Sequence, residues 1–489
     1  MSALARSLFP VINVLGLVVM IFAGTMLVPL AVAFVGRDQA LAAYDEAFLI
    51  TLGIGATLWF GTRRFQRELA PRDGFLLVTL VWTTLPAVAT LPLLLHLPDL
   101  SFTDAYFETM SGLTTTGATV LTGLDELPLS INVWRHLLVW IGGMGVIVLA
   151  VAILPLLGVG GSQIYKAEAA GPLKESKLTP RIAETAKGLY LIYLAISALC
   201  FIAYRVAGMS WADAFMHMCA TMGLGGFSSH DASFGYFDSP VIEYTAVVFM
   251  LLAGFNFSMH FLAWRRRSLA VYWHDIEGKS YFAVTVGAAV TIAAYLFARG
   301  VYPDFETALR YALFNVVSIA TTTGFASTDY AQWPILAPLL MLFLSGFATC
   351  AGSTGGGIKM IRAIILLKQA MREFVRILHP RVVNPVRVGE QTIENRVIFA
   401  VLAFMLIYGA TIIWCTFLLL LADVDVVTAF TAVVACVNNT GPGLGQVGPA
   451  GNFQGLNDFS TWVCSAAMLL GRLEMMSVLV LFTPAFWRK

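Results

Sequence analysis

Four short polar or glycine-rich segments end in a glycine, three of them after threonine or asparagine: Thr114-Thr115-Thr116-Gly117, Gly223-Leu224-Gly225-Gly226, Thr321-Thr322-Thr323-Gly324 and Asn438-Asn439-Thr440-Gly441. Such segments suit the capture of a dehydrated monovalent cation. The ion needs a cage of oxygens in place of its water shell, and backbone carbonyls supply that cage in potassium filters. Aiming successive carbonyls at one axis takes the chain through positive φ, which glycine tolerates at no steric cost. A glycine is therefore expected at each corner, with threonine and asparagine lending side-chain oxygens or tying the loop down. The candidate ion-binding residues are Thr115, Thr116 and Gly117; Leu224, Gly225 and Gly226; Thr322, Thr323 and Gly324; and Asn439, Thr440 and Gly441. The second segment departs from the others with Leu224-Gly225, and the fourth has Pro442 directly after its glycine, so a ring built from them is only approximately fourfold. One glycine per corner, against two in a Gly-Tyr-Gly filter, implies a short filter that rejects sodium less well.

Two further features bear on movement through such a ring. Residues 345–359 interrupt an apolar stretch with Gly346, Gly352, Gly355, Gly356, Gly357 and Lys359, which suggests a flexible plug beneath the filter. The run from Gly352 to Lys359 nearly spells a phosphate-binding loop. However, Ile358 separates glycine from lysine, Met360 replaces the Ser/Thr, and no soluble βα unit surrounds it, so no nucleotide is expected on this chain. Arg472 lies deep in the last apolar run, and a charge at that depth faces the protein interior or a water-filled path. It either pairs with an acid such as Glu474 and fixes helix packing, or stands in the path as a fixed charge that holds cations back.

The elements that must hold these loops are membrane spans. The chain is 58% hydrophobic and 12% charged, against about 25% charged in soluble domains, and its mean hydropathy is +0.79. Apolar runs at 11–34, 75–97, 137–158, 189–207, 241–262, 281–298, 397–421 and 461–482 are each long enough to cross a hydrocarbon core of about 30 Å. The filter glycines recur 109, 98 and 117 residues apart, and twelve positions before each stands an alanine: Ala105, Ala214, Ala312 and Ala429. An aromatic follows each within two residues (Phe107, Phe215, Phe314, Phe430). Each repeat thus reads as a spanning helix, a segment of about a dozen residues too short to span, the loop, and a second helix. Irregular backbone at membrane depth survives only inside protein or along a water-filled cavity, so four such loops point to one shared axis. The expected fold is an all-α polytopic membrane protein with four pseudo-symmetric helix–re-entrant loop–helix repeats around one pore. Its expected divisions are a helix pair at 1–72 and repeats at 73–165, 166–279, 280–390 and 391–489.

Basic residues gather in alternate connections: Arg63, Arg64, Arg67 and Arg72; Lys166, Lys174, Lys177, Arg181 and Lys187; Arg265, Arg266, Arg267 and Lys279; and Lys368 through Arg396. By the positive-inside rule these face the cytoplasm, as do both termini. The opposite connections carry acids such as Asp104, Glu108, Asp125, Asp213 and Asp238, a face suited to concentrating cations. Net charge of +1 gives no footprint for nucleic acid. Six cysteines stand singly in apolar surroundings without a CxxC pair and read as buried thiols. Ala31-Val32-Ala33 resembles a signal-peptidase site, but the run before it is long and many spans follow, so a retained first helix is expected. His136, His217, His230 and His260 lack metal-ligand spacing, and Ala351-Gly352-Ser353-Thr354-Gly355 misses the nucleophile elbow at its first position. No enzyme is expected.

The blocks Trp140-Ile141-Gly142-Gly143-Met144-Gly145, Gly225-Gly226-Phe227-Ser228, Thr321-Thr322-Thr323-Gly324-Phe325, Ala351 through Lys359 and Asn438 through Gly443 resemble the Trk/Ktr/HKT superfamily of potassium transporters. Within it the chain is most similar to the bacterial Trk-H/Trk-G type of subunit, whose extra amino-terminal helix pair it shares. That resemblance implies a homodimer with one pore per protomer, in the lipid of a bacterial inner membrane. It also implies K+ as the ion bound and moved, some members admitting sodium, and a cytosolic ring of regulatory subunits that bind NAD or ATP. Carried across, the four segments become the filter, residues 345–359 the gating loop and Arg472 a pore-facing arginine. Uptake through a gated channel-like pore and proton- or sodium-coupled symport both remain open, with Glu108, Asp104 or Glu474 as coupling sites in the second case.

Overall fold

In a computed structural model of the chain, residues 3–65, 67, 69–148, 182–389 and 391–488 are described. Among them six helices are long and apolar enough to cross a membrane: Leu8–Gly36, Leu41–Phe65, Arg72–His96, Ala186–Ala207, Ile276–Ala298 and Asn395–Leu421. Their outer faces carry bare apolar side chains such as Ile21, Phe34, Leu199, Leu406 and Trp414, as lipid contact requires. The chain is a multi-pass membrane protein. The run at 137–158 and the connection bearing Lys166, Lys174, Lys177 and Arg181 lie partly or wholly outside the described residues.

Two runs expected as single spans are broken. Pro240–Ala253 and Phe257–Arg266 meet at 91°, and Asp458–Arg472 meets the helical segment Met475–Phe482 at 109°. At the first break the Asn256 side chain accepts from Ser258 N at 2.8 Å and starts a new helix, while Phe257 N donates to Gly352 O at 3.1 Å. At the second, Glu474 takes a left-handed φ of 55°. A hydropathy average cannot register either turn, because the residues on both sides remain apolar. The run that carries residues 345–359 is broken too, into Leu336–Ser345 and Met360–Leu378.

The first two spans pack closely on each other and, through Phe22, Met26 and Tyr44, on Trp82 and Trp134 of the helices that follow. A methyl group on Gly55 would stand 2.8 Å from Met20 N, and one on Gly16 would stand 2.8 Å from Gly55 O. The two backbones therefore touch, the close approach small residues allow between helices in lipid. Asn13 Nδ2 adds bonds to Trp59 O at 2.9 Å and Thr62 Oγ1 at 3.2 Å.

Four short helices precede the four glycine segments: Phe102–Leu113, Trp211–Gly223, Phe305–Ala320 and Val426–Asn438. At 12 to 16 residues they are roughly 18–24 Å long and fall short of a bilayer core. Each begins with the same cap: Ser101 Oγ accepts from Asp104 N, Ser210 Oγ from Asp213 N, Asp304 Oδ1 from Thr307 N and Asp425 Oδ1 from Thr428 N. Each also ends alike. The amides of Thr116, Gly225, Thr323 and Thr440 donate to the carbonyls of Ser111, Ala220, Ser318 and Ala435 at 2.8–3.0 Å.

Candidate functional site

Those helix endings turn the chain through a left-handed residue, and the residue is the same in all four segments. Thr115, Leu224, Thr322 and Asn439 have φ of 54°, 54°, 60° and 54°. Sequence reasoning placed the positive φ on the glycines. Gly117, Gly324 and Gly441 do take φ of 79°, 90° and 95°, but Gly226 is not among the positive-φ residues. Leu224, which breaks the pattern by type, therefore keeps it in backbone, while Gly226 keeps it in type and breaks it in backbone.

The four glycines meet. A methyl group on Gly226 would lie 2.5 Å from the Gly324 carbonyl carbon, and one on Gly441 would lie 2.8 Å from Thr116 O. On Gly117 it would run into Gly226 N, and on Gly324 into Thr440 O. The contacts run first to second, second to third, third to fourth and fourth back to first. All four glycines also line one cavity of about 80 Å³. The four predicted glycines are thus brought together, with Thr116, Gly225, Thr323 and Thr440 in the cross-corner contacts. Four helix carboxyl ends, each with partial negative charge, terminate at the same place.

On the opposite side, residues 345–359 pass beneath three of the four corners. Thr354 Oγ1 donates to Met222 O at 3.0 Å, Gly356 N donates to Thr322 Oγ1 at 2.8 Å, and Gly356 abuts Asn438 O. The segment is packed rather than loose: Thr349 Oγ1 bonds Gly356 O at 2.8 Å, Lys359 Nζ bonds Gly355 O, and Met360 N bonds Thr349 O at 2.8 Å. Gly352 and Gly357 supply left-handed turns, whereas Gly346 lies at a helix end with ordinary helical φ. Arg472 reaches this loop, donating from Nη1 to Thr354 O at 2.9 Å and from Nη2 to Gly142 O at 3.4 Å. It does not pair with Glu474. That carboxylate accepts from Arg362 Nη2 at 2.8 Å, because the 109° break turns it toward the helix after the loop.

Beside the same cavity, His230 bridges the segments that follow Gly117 and Gly226. Its Nδ1 bonds Asp125 Oδ1, its Nε2 lies 3.3 Å from Asp213 Oδ1, and its ring stacks on Tyr236 with His217 at 6.4 Å. Burial alone would lower the imidazole pKa, but bonds to Asp213 and Asp125 outweigh it and hold it above the ordinary 6.5. Burial would raise the Asp125 carboxyl, but His230 and the Asp231 amide hold it below 3.8. A raised imidazole stabilises the fold fully below its unfolded value and loses that contribution as pH rises through the folded one. A lowered carboxyl stabilises above its unfolded value and loses that contribution as pH falls. The clamp is therefore fully in place between 3.8 and 6.5. In thermal unfolding, wild type should exceed His230→Gln by more at about pH 6 than at about pH 9. A margin independent of pH would show that the clamp is not ionic.

Comparison with known proteins decides the family. Residues 42–489 match the family described as TrkH, cation transport protein. The chain belongs to the TrkH family. The Trk system potassium uptake protein TrkH of Salmonella typhimurium is 47% identical over 98% of this chain and 99% of its own. TrkG of Escherichia coli K12 is 38% identical over 98% of each. The crystal structure of the potassium transporter TrkH from Vibrio parahaemolyticus superposes with a TM-score of 0.91 at 44% identity, covering 98% of this chain and 99% of that one. These TrkH-family relatives are named as transport proteins, not enzymes.

Sequence reasoning missed three residues of this candidate site. Glu277 Oε1 accepts from Ala351 N at 2.7 Å and Ile361 N at 3.2 Å, tying the middle of residues 345–359 to the helix that follows them. Arg362 takes Glu474, and Arg135 takes Glu108. Each is charged and buried within a helical region, and that signal had singled out Arg472 alone.

Proposed function

We propose that this chain takes up potassium across a bacterial inner membrane through a gated, channel-like pore. The closed ring of four glycines carries the proposal: one ion at its centre would meet carbonyls from every corner, as filter coordination demands. K+ is the ion bound and moved; in support, the relatives are named a potassium uptake protein and a potassium transporter. The four repeats, with the helix pair at 1–72 outside them, form one pore per protomer of a homodimer. Residues 345–359 and Arg472 form the barrier beneath the ring. Both termini and the basic connections face the cytoplasm, where a ring of nucleotide-binding subunits moves the barrier.

Conduction is favoured over coupled symport by the state of the candidate coupling acids. Glu108 is buried, and both its oxygens accept hydrogen bonds from Thr119, Val120 and Arg135. Asp104 accepts from Ser101 Oγ at a helix start, and Glu474 is held by Arg362. In liposomes containing the purified protein, the reversal potential should follow the potassium gradient and stay unmoved by a pH gradient. A displacement with proton or sodium gradients would establish symport instead.

A further inference from the structure

Nine positions before the filter glycines stand Glu108, His217, Asn315 and Ala432. The first three reach across to the strand that follows the glycine. Glu108 accepts from Thr119 Oγ1 and Val120 N, each at 3.0 Å; His217 Nε2 meets Ser228 Oγ at 3.0 Å; Asn315 Nδ2 donates to Ser327 Oγ at 2.9 Å. In the fourth repeat Thr431 takes over, accepting from Leu444 N at 2.8 Å. Every short helix therefore holds the strand descending from its own corner, and only the first does so with a carboxylate.

That carboxylate is answered by Arg135 on the helix Leu129–Val148, Nε to Oε1 at 2.8 Å, with both side chains 1% exposed. The guanidinium then spans two corners. Nη2 reaches Thr119 Oγ1 at 3.3 Å, two residues after Gly117, and Nη1 reaches Ser228 O at 3.2 Å, two residues after Gly226. Nη1 also bonds Asn132 Oδ1 at 3.0 Å, and the guanidinium carbon lies 4.5 Å from the Phe227 ring centroid. Thr119 O accepts from Phe453 N at 2.9 Å, which carries the tie to the fourth repeat. Arg135 lines the cavity at the mouth of the ring. A lone cation there would repel the transported ion, but Glu108 cancels it and leaves the planar fork as a rigid brace.

We propose that Arg135, neutralised by Glu108, is a positioning residue that locks the first two corners in register and so sets the preference among monovalent cations. The inference rests on the filter reading above. A brace is needed at this junction in particular, because Gly226 lacks the positive φ that the other three glycines share.

The test uses the whole protein in liposomes, with potassium-over-sodium permeability ratio and flux per folded protein measured separately. Arg135→Lys keeps the charge but loses the fork, and should lower the ratio about tenfold, equivalent to ~1.4 kcal/mol of discrimination, a larger factor than its loss of flux. Glu108→Gln uncovers the guanidinium and should lower both flux and ratio. The double variant Glu108→Gln, Arg135→Gln restores neutrality, so flux should recover while the ratio stays low. Thr119→Val removes no charge and should lower the ratio by a smaller factor, which keeps the test open should the charge variants fail to fold. A ratio that recovers with flux in the double variant would make the pair an electrostatic device and overturn the brace. Unchanged ratios in Arg135→Lys and Thr119→Val would also overturn it, leaving the filter intact if Gly324→Ser still lowers the ratio. If Gly324→Ser leaves it unchanged too, the filter reading itself fails.

Discussion

Serine in place of Gly324 is expected to remove most of the discrimination between potassium and sodium while the protein still reaches the membrane. Gly324 sits at φ 90°, where a side chain is strained, and its Cβ would run into Thr440 O of the next corner. A left-handed conformation costs a residue with a Cβ about 1–2 kcal/mol. Shifting the Thr440 carbonyl adds to that in the proposed ion cage, whose selectivity would depend on oxygen placement. Strain of ~1.4 kcal/mol on the preferred ion alone changes the ratio about tenfold. Gly123→Ala is the matched control, since Gly123 has φ 67° but nothing within 4 Å of an added Cβ. Competitive uptake of rubidium against sodium should fall for Gly324→Ser and hold for Gly123→Ala. Equal behaviour of the two would mean that general backbone strain, not ring geometry, is being measured.

Removing Arg472 should raise potassium flux by a large factor. At ~4 Å and an effective dielectric near 20, two like charges repel by about 4 kcal/mol. If all of it lies in the barrier, passage slows by roughly three powers of ten. Arg472→Ala also cuts the bond to Thr354 O that tethers the loop beside the proposed path. Arg472→Lys separates the contributions, because it keeps the charge but cannot bridge Thr354 O and Gly142 O together. Flux per folded protein should rise far more in alanine than in lysine. If the two rise equally, the tether is the barrier and the charge is incidental; if alanine lowers flux, Arg472 belongs to the scaffold. Glu474→Gln, which disturbs Arg362 instead, should change flux much less than Arg472→Ala.

The register of the site was legible because it is written in local chemistry. Ser101, Ser210, Asp304 and Asp425 start helices by rules that operate within four residues, and glycine at each corner answers a steric demand. What stayed hidden depends on contacts between distant segments. The left-handed turn falls on Thr115, Leu224, Thr322 and Asn439, and threonine and leucine are types that φ preference alone would exclude there. Packing around the ring of glycines overrides that preference, with Asn439 Nδ2 bonded to Thr116 Oγ1 and Gly356 N to Thr322 Oγ1. Glu108 counted as an acid of the outer face until Arg135, 27 positions away, was seen to bury it. Glu474 lies two residues from Arg472, and a straight helix would not have shown that the bend hands it to Arg362, 112 positions earlier.

A ring whose corners are non-identical stretches of a single chain also changes how such a site can be altered over time. In an assembly of four identical subunits, one codon change strikes every corner at once. A penalty of ~1 kcal/mol per corner becomes ~4 kcal/mol, roughly a thousandfold in preference. Here the same change falls on one corner, and its effect is roughly fivefold. Leucine can occupy position 224 in a ring otherwise built on threonine and asparagine, and Gly226 can take a backbone of its own, without three copies following. Ion preference in this architecture is adjustable in small, independent steps, one quadrant at a time.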